Sequence, residues 1–283
     1  MTMTKEVSAE ILGKVYRPRK AEVHKYDFGH LLVVGGSKLY SGSPALNALA
    51  AYRTGIDLVT VVAPQRAADI IATFAPDLIT CPVPGDYFQP THLKEVVSLL
   101  DQKTAVVIGG GMGREKETLE FVKQFLLQVE LPVVVDADAI YAAAEIKDKL
   151  VGKPLVFTPH AYEFSVLAGE ELVANSQPCI DTVKHLASVL KSVVLLKGSE
   201  DIIADGQKAA SNKTGNPFMT VGGTGDTLAG MVGSFLAQGI DPFTAACAAA
   251  YLNGAAGDLA AEELGPSLMA SDLLDFIPEI LPF

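Results

Sequence analysis

Seven short apolar runs recur along the chain, at residues 31–34, 58–62, 78–81, 105–108, 133–135, 155–157 and 193–196. They are rich in β-branched residues and show no polar alternation. Each therefore needs cover on both faces, the situation of parallel strands packed between helices. Helix-length segments fall between them, at 44–52, 65–72, 92–100, 115–128, 161–167 and 182–190. Further on, 201–204 and 207–210 flank Asp205-Gly206, a hairpin signal. Three helices, 226–237, 244–263 and 270–277, close the chain. This order predicts an α/β fold, a three-layer α/β/α sandwich with a mostly parallel central sheet, right-handed crossovers and a late hairpin. No Pro/Ser-rich linker, repeat or shift of composition interrupts it. The expectation is a single domain over 1–283, with residues 1–25 as an N-terminal arm or helix. Pro82-Val83-Pro84-Gly85 reads as a surface turn.

With 49% apolar and 19% charged residues, the 283-residue chain is too apolar for disorder and long enough for a large core. Its net charge of −11 argues against general nucleic-acid binding, which needs cations to replace counterions. Backbone amides can still hold phosphate without Lys. No apolar run approaches the roughly 18–20 residues needed to cross a bilayer. Residues 245–252 are Ala-rich but stop at Asn253-Gly254, and read as a tightly packed buried helix. Residues 1–20 carry no signal-peptide pattern. Cys81, Cys179 and Cys247 are odd in number and far apart, with neither metal spacing nor a disulfide framework. A cytoplasmic location is expected.

Ligands of such sheets sit beyond the carboxyl ends of the strands. There the sequence places Gly35-Gly36-Ser37, Gly109-Gly110-Gly111-Met112-Gly113, Asp136-Ala137-Asp138, Thr158-Pro159-His160 and Lys197-Gly198-Ser199. The most informative segment is Gly222-Gly223-Thr224-Gly225-Asp226-Thr227-Leu228-Ala229-Gly230, which runs straight into a helix. Free amides and the helix dipole make its first turn an anion site. No Lys follows the glycines, so it is not a Walker A loop. Asp226 is then either a helix cap or a general base for a hydroxyl in phosphoryl transfer. His160 is either a turn-stabilising residue or a ligand contact, and His24 and His30 read as structural or surface groups. Asp136 and Asp138 either meet Mg2+ through water or cap the next helix. The 109–113 loop lacks the last glycine of a dinucleotide fingerprint, because Arg114 stands there. An NAD-dependent oxidoreductase is therefore a poor reading.

The segment 222–230 resembles the anion-hole motif of ribokinase-like small-molecule kinases. Further segments narrow the resemblance: His24 to His30, Leu32-Val33-Val34-Gly35-Gly36-Ser37, Ser41-Gly42-Ser43-Pro44-Ala45, Gly55 to Val59, Val135 to Ala139, Thr158 to Phe164 and Leu196-Lys197-Gly198. In this order, over about residues 24–280, they resemble the ADP/ATP-dependent NAD(P)HX dehydratases. The resemblance implies repair of NADH and NADPH hydrated on the nicotinamide ring, with ADP or ATP as phosphoryl donor and Mg2+ as cofactor. It implies Asp226 as base, with the amides of Gly223, Thr224 and Gly225 as anion hole. Lys197, Gly198, Ser199, Glu200 and Asp201, with Gly225, would contact the nucleotide. Ser43, Pro44, Ala45, Gly111, Gly113, His160 and Asp226 would contact the hydrated dinucleotide. Asp136 and Glu163 would meet the metal through water. It also implies a homo-oligomer, a tetramer, and a separate epimerase or action on one epimer only, since no epimerase segment precedes the matching residues. Two positions depart from the family: Lys213 stands where Pro is usual, and Phe218 where Gly is usual. The competing readings are a hydroxyethylthiazole- or pyridoxal-type kinase and a non-catalytic nucleotide sensor.

Overall fold

In the computed structural model, which describes residues 5–169 and 179–282, each of the seven apolar runs contributes to a strand. The strands are β1 (Lys5–Glu6), β2 (His30–Val34), β3 (Leu58–Pro64), β4 (Ile79–Val83), β5 (Ala105–Ile108), β6 (Val133–Val135), β7 (Leu155–Phe157), β8 (Val193–Leu196), β9 (Asp201–Ala204) and β10 (Ala209–Asn212). The helices are α1 (Leu12–Val15), α2 (Gly42–Arg53), α3 (Gln65–Ile71), α4 (Leu93–Ser98), α5 (Lys116–Gln128), α6 (Asp138–Glu145), α7 (Ala161–Ala168), α8 (Ile180–Leu190), α9 (Thr224–Ala237), α10 (Pro242–Leu264) and α11 (Leu273–Ile280).

The ten strands among the described residues form one sheet in the order β1-β10-β9-β8-β7-β6-β5-β2-β3-β4. All neighbours are parallel except β8 with β9 and β9 with β10, which form the expected hairpin. Alternate residues of each strand feed separate cores. Leu31, Val33 and Val107 join Ala48, Phe235 and Leu252 on one face. Leu32, Val34 and Ile108 join Phe121, Phe125 and Ile140 on the other. Covering both faces with apolar helices is what lets the strands dispense with polar alternation.

The chain leaves β2 toward β3 and β4, then returns to β5 on the other side of β2. This reversal opens a crevice at the carboxyl ends of β2 and β5. The loops that leave these two strands are joined there, Gly36 N donating to Gly110 O at 2.8 Å. Helices α2 and α9 close one side of the crevice. They approach so tightly that a Cβ on Gly230 would overlap the Asn47 carbonyl.

The structure differs from several local expectations and refines others. Pro82 and Val83 belong to β4, and the chain turns later, where Gly85 has φ +90°. An edge strand tolerates Pro because its outer side donates to no neighbour. The second hairpin strand begins at Ala209 rather than Gln207, because Asp205 Oδ1 accepts the amides of Gln207 and Lys208 and keeps both in the turn. Helix α6, absent from the expected helices, follows β6 directly; its N-cap is Ala137 with no side-chain cap, so neither Asp136 nor Asp138 caps it as the sequence had allowed. Within the arm, β1 pairs with β10 and α1 buries Leu12 and Val15. The 245–252 stretch lies in α10, with Ala245 to Ala250 buried as expected.

Candidate active site

Helix α9 begins at the crevice. Its N-cap is Gly223, at φ +108°, a conformation that favours glycine. The Thr224 hydroxyl donates back to Met219 O at 2.9 Å, and Asn253 Nδ2 donates to Thr224 O at 3.2 Å. These contacts fix the first turn. Its opening amides, Thr224 and Gly225, lie where an α-helix has no internal acceptor for them.

Asp226 is the third helical residue and does not cap its own helix; α9 has no side-chain cap. Its side chain instead hydrogen-bonds Ser43 at the start of α2. Its Oδ1 lies 2.9 Å from the position a Cβ on Gly110 would take. Asn47 Nδ2 holds its backbone carbonyl at 2.7 Å. Burial pushes the Asp226 carboxyl up to about 7. Asp136 and Glu163 push the same way, while the Ser43 hydrogen bond and Lys197 oppose them. A carboxyl poised near neutrality is suited to taking a proton.

Lys197, just after β8, places Nζ 2.9 Å from Asp136 Oδ1. Asp136 directly follows β6, is 2% exposed, and accepts the Thr158 hydroxyl on the same oxygen at 2.8 Å. Burial alone would lower the Lys197 ammonium, but Asp136, Glu163 and Asp226 outweigh it and hold it raised. Four charged groups from β6, α7, β8 and α9 thus converge at the crevice.

A family model described as NAD(P)H-hydrate dehydratase matches residues 31–279. The chain belongs to the NAD(P)H-hydrate dehydratase family. It is 41% identical over 265 residues to the bifunctional NAD(P)H-hydrate repair enzyme Nnr of Pyrobaculum aerophilum, covering 93% of this chain and 52% of that protein. The chain therefore spans about half the length of the bifunctional relatives it matches. It is 34% identical to the ADP-dependent (S)-NAD(P)H-hydrate dehydratase of Cenarchaeum symbiosum, covering 98% of this chain and 97% of that one. Among solved structures, the ADP/ATP-dependent NAD(P)H-hydrate dehydratase of Bacillus subtilis, co-crystallized with ATP/Mg2+, superimposes with a TM-score of 0.83. It is 26% identical, with 99% of this chain and 98% of that one covered. The fold is ribokinase-like.

Other dehydratase-motif residues take definite places. Ser43, Pro44 and Ala45 form the first turn of α2. Gly111 packs against Tyr40, and Gly113 N donates to Asp138 Oδ2 at 2.9 Å. Asp138 also pairs with Arg114 at 3.3 Å, and the Arg114 guanidinium lies 4.3 Å over the Tyr141 ring. The Arg that breaks the dinucleotide fingerprint thus anchors the glycine loop. His160 caps α7, its Nδ1 accepting the amides of Tyr162 and Glu163. Its ring is 54% exposed, with Nε2 3.4 Å from Glu163 Oε1. The turn-stabilising role is therefore present, with the other ring edge still exposed. Glu163, 6% exposed, accepts His160 N at 2.9 Å, and burial pushes its carboxyl up.

In the nucleotide segment, Gly198 and Ser199 are exposed and Glu200 is half-buried. Asp201 closes the loop, accepting Gly198 N and Asn212 Nδ2, each at 3.1 Å. Burial pushes its carboxyl up to about 6. The two departures lie outside the charged cluster. Lys213 bridges to Glu6 at 2.7 Å, and Phe218 sits in a 3-10 turn, 44% exposed.

Among the described residues, no group of three or more His, Cys, Asp or Glu side chains is arranged to hold a metal. Asp136 Oδ1 faces Lys197 and Thr158, and Glu163 faces His160. Two cavities, of about 670 and 780 Å³, lie beside the N-terminal arm; the second borders Asp27, Phe28 and Gly55, and neither borders Asp136, Glu163, Lys197 or Asp226. The roles of Asn47, Thr158, Arg114 and Asp138 were not anticipated. Only the polar character of Thr158 and Asp138 just after strands gave a signal.

Proposed function

We propose that this chain dehydrates the S-epimer of hydrated NADH or NADPH in a reaction driven by ADP or ATP, regenerating the reduced dinucleotide. The observation that carries this reading is the Asp226 carboxyl, pushed up to about 7 at the amide-bearing tip of α9 and facing Ser43 and Gly110 rather than its own helix. The added ring hydroxyl attacks the terminal phosphorus of the nucleotide, and its proton passes to Asp226. The bond from phosphorus to the leaving ADP or AMP breaks as the new P–O bond forms. The amides of Gly223, Thr224 and Gly225 receive the charge on the moving phosphoryl group. Phosphate then leaves with the C–O electron pair, helped by the ring-nitrogen lone pair. Loss of the neighbouring ring proton restores the double bond. Hydroxide is a poor leaving group near neutral pH and phosphate a good one, so positioning and charge stabilisation suffice.

The segment Lys197 to Asp201 would face the nucleotide. Ser43 to Ala45, Gly111, Gly113 and the exposed edge of His160 would face the hydrate. Mg2+ bound to the nucleotide phosphates would supply further charge neutralisation, with Asp136 and Glu163 close enough in chemistry to accept hydrogen bonds from its waters. The reading extends to a cytoplasmic setting, a homo-oligomeric, tetrameric assembly and a separate epimerase that converts the other epimer. Light scattering on the purified chain tests the assembly. The decisive assay mixes the chain with hydrated NADH, Mg2+ and either ADP or ATP, following recovery of reduced-nicotinamide absorbance with phosphate release. Accumulation of a stable phosphate ester would instead indicate a kinase. Nucleotide binding with no product would indicate a sensor.

A further inference from the structure

We propose that Asp136 is a positioning residue that, braced by Thr158, holds the Lys197 ammonium against the first turn of α9, where it serves the transferred phosphoryl group. The proposal deepens the function above and rests on it. Lys197 Nζ lies 2.9 Å from Asp136 Oδ1 and 3.2 Å from the point a Cβ on Gly225 would occupy. The ammonium therefore stands beside the amides that open the helix, adding a full charge to their partial ones. Its backbone is fixed as well, Lys197 N donating to Pro159 O at 2.8 Å. The segment Pro159-His160 thus joins the strand-end loops on either side of the cluster.

The anchor is itself constrained. Asp136 accepts the Thr158 hydroxyl at 2.8 Å. It is followed by Ala137 at φ +48°, a conformation that strains a non-glycine residue. Next comes Asp138, which holds Gly113 N. One strained turn therefore carries both the anchor of Lys197 and the anchor of the glycine wall.

Lys197 has competing partners. Asp226 and Glu163 both attract it, Asp226 being the proposed base. Without the Asp136 charge, the ammonium is free to pair with Asp226. That would withdraw it from the phosphoryl position and hold the base ionised. Asp226 is faced by Ser43 from α2, Lys197 after β8, Asp136 after β6 and Glu163 from α7. Removing Asp136 takes away one of the two repelling carboxylates. The acid limb of kcat/KM should then move to lower pH while the plateau falls, a combination that a merely structural defect does not produce.

The test is a double-mutant cycle on the full chain, with Mg-ADP affinity read by calorimetry and hydrated-NADH turnover read alongside. Asp136→Asn should weaken ADP about tenfold and lower kcat by roughly 100-fold, with the hydrate KM within about threefold. In a Lys197→Met background the same change should cost at least about threefold less in each quantity than in the intact chain, the remainder being what Asp136 contributes through the waters of the nucleotide's metal. Thr158→Val, which leaves every charge in place, should cost about threefold in kcat, with Thr158→Ser restoring it. This variant also serves if Asp136→Asn does not fold. The proposal is overturned if Asp136→Asn costs as much in the Lys197→Met background as in the intact chain, or if ADP affinity is indifferent to Asp136. A chain that binds ADP but turns over no hydrate would sink the proposed function, leaving the ADP cycle to decide the role of Asp136.

Discussion

At its amino end, β2 buries His30; at its carboxyl end, it leads through Gly35 and Gly36 to the cluster of Asp136, Glu163, Lys197 and Asp226. Burial disturbs titration at both ends. His30 is lowered to about 4, by burial and then by Lys103 and Lys25, and its Nε2 lies 2.8 Å from the Thr60 hydroxyl. Its Nδ1 has no hydrogen-bond partner in the interior among the described residues. Nothing there favours the charged form, so the ring stays neutral. At the other end, each displaced group faces an opposite charge, and Asp226 is brought to about 7 rather than locked in one state. Burial without a counter-charge yields a silent group and a stability cost in acid. Burial among counter-charges yields a group that can exchange protons at working pH.

The sharpest way to break the contrast is Asp226→Asn. Turnover should fall by about 10³-fold while ADP affinity stays within about threefold, measured by absorbance recovery and calorimetry. Retained turnover would remove Asp226 from the chemistry. A second expectation concerns pH. Because Asp226 acts when ionised and its folded value is about 7, kcat/KM should fall about tenfold per pH unit well below that value. A flat profile between pH 5.5 and roughly 8 would contradict the assignment. Asp138→Ala should raise the hydrate KM by about tenfold with smaller change in ADP affinity, because it frees Gly113 and Arg114 without touching Lys197. Equal losses for both ligands would show that the two walls are not separable.

The smallest effect belongs to the silent end. The unfolded chain protonates His30 near its ordinary 6.5 and the folded chain only near 4. Stability from neutral His30 is thus complete above 6.5 and is lost as pH falls through that window. Replacing it with Gln should remove part of the acid dependence of thermal unfolding, about 2–4 °C in the difference between pH 7 and 4.5. Turnover at neutral pH should not change. An identical acid dependence in the variant would mean that His30 titrates normally.

The strands were legible because a run such as 105–108, apolar on both sides, admits few settings other than a covered parallel strand. Strand β1 gave no such signal: it is two exposed charged residues held by pairing with β10. Helix α6 was hidden because its first residue, Asp138, follows a strand end at once and reads as a site carboxylate. Within the cluster, the anion loop was readable from consecutive glycines. The pairing of Asp136 with Lys197 joins residues 61 positions apart, and that of Asn47 with the Asp226 carbonyl joins residues 179 apart. No local spacing encodes such contacts; they follow from where the strand order reverses.

Pro82 has a consequence at the rim of the sheet. It interrupts the donor row of β4, beyond which no strand pairs among the described residues, while at the opposite rim the described part of β1 is two residues. Neither margin makes a good template for a foreign strand. Growth of polymers strand by strand along these described margins is thereby disfavoured, and the sheet serves as a covered interior rather than a seam.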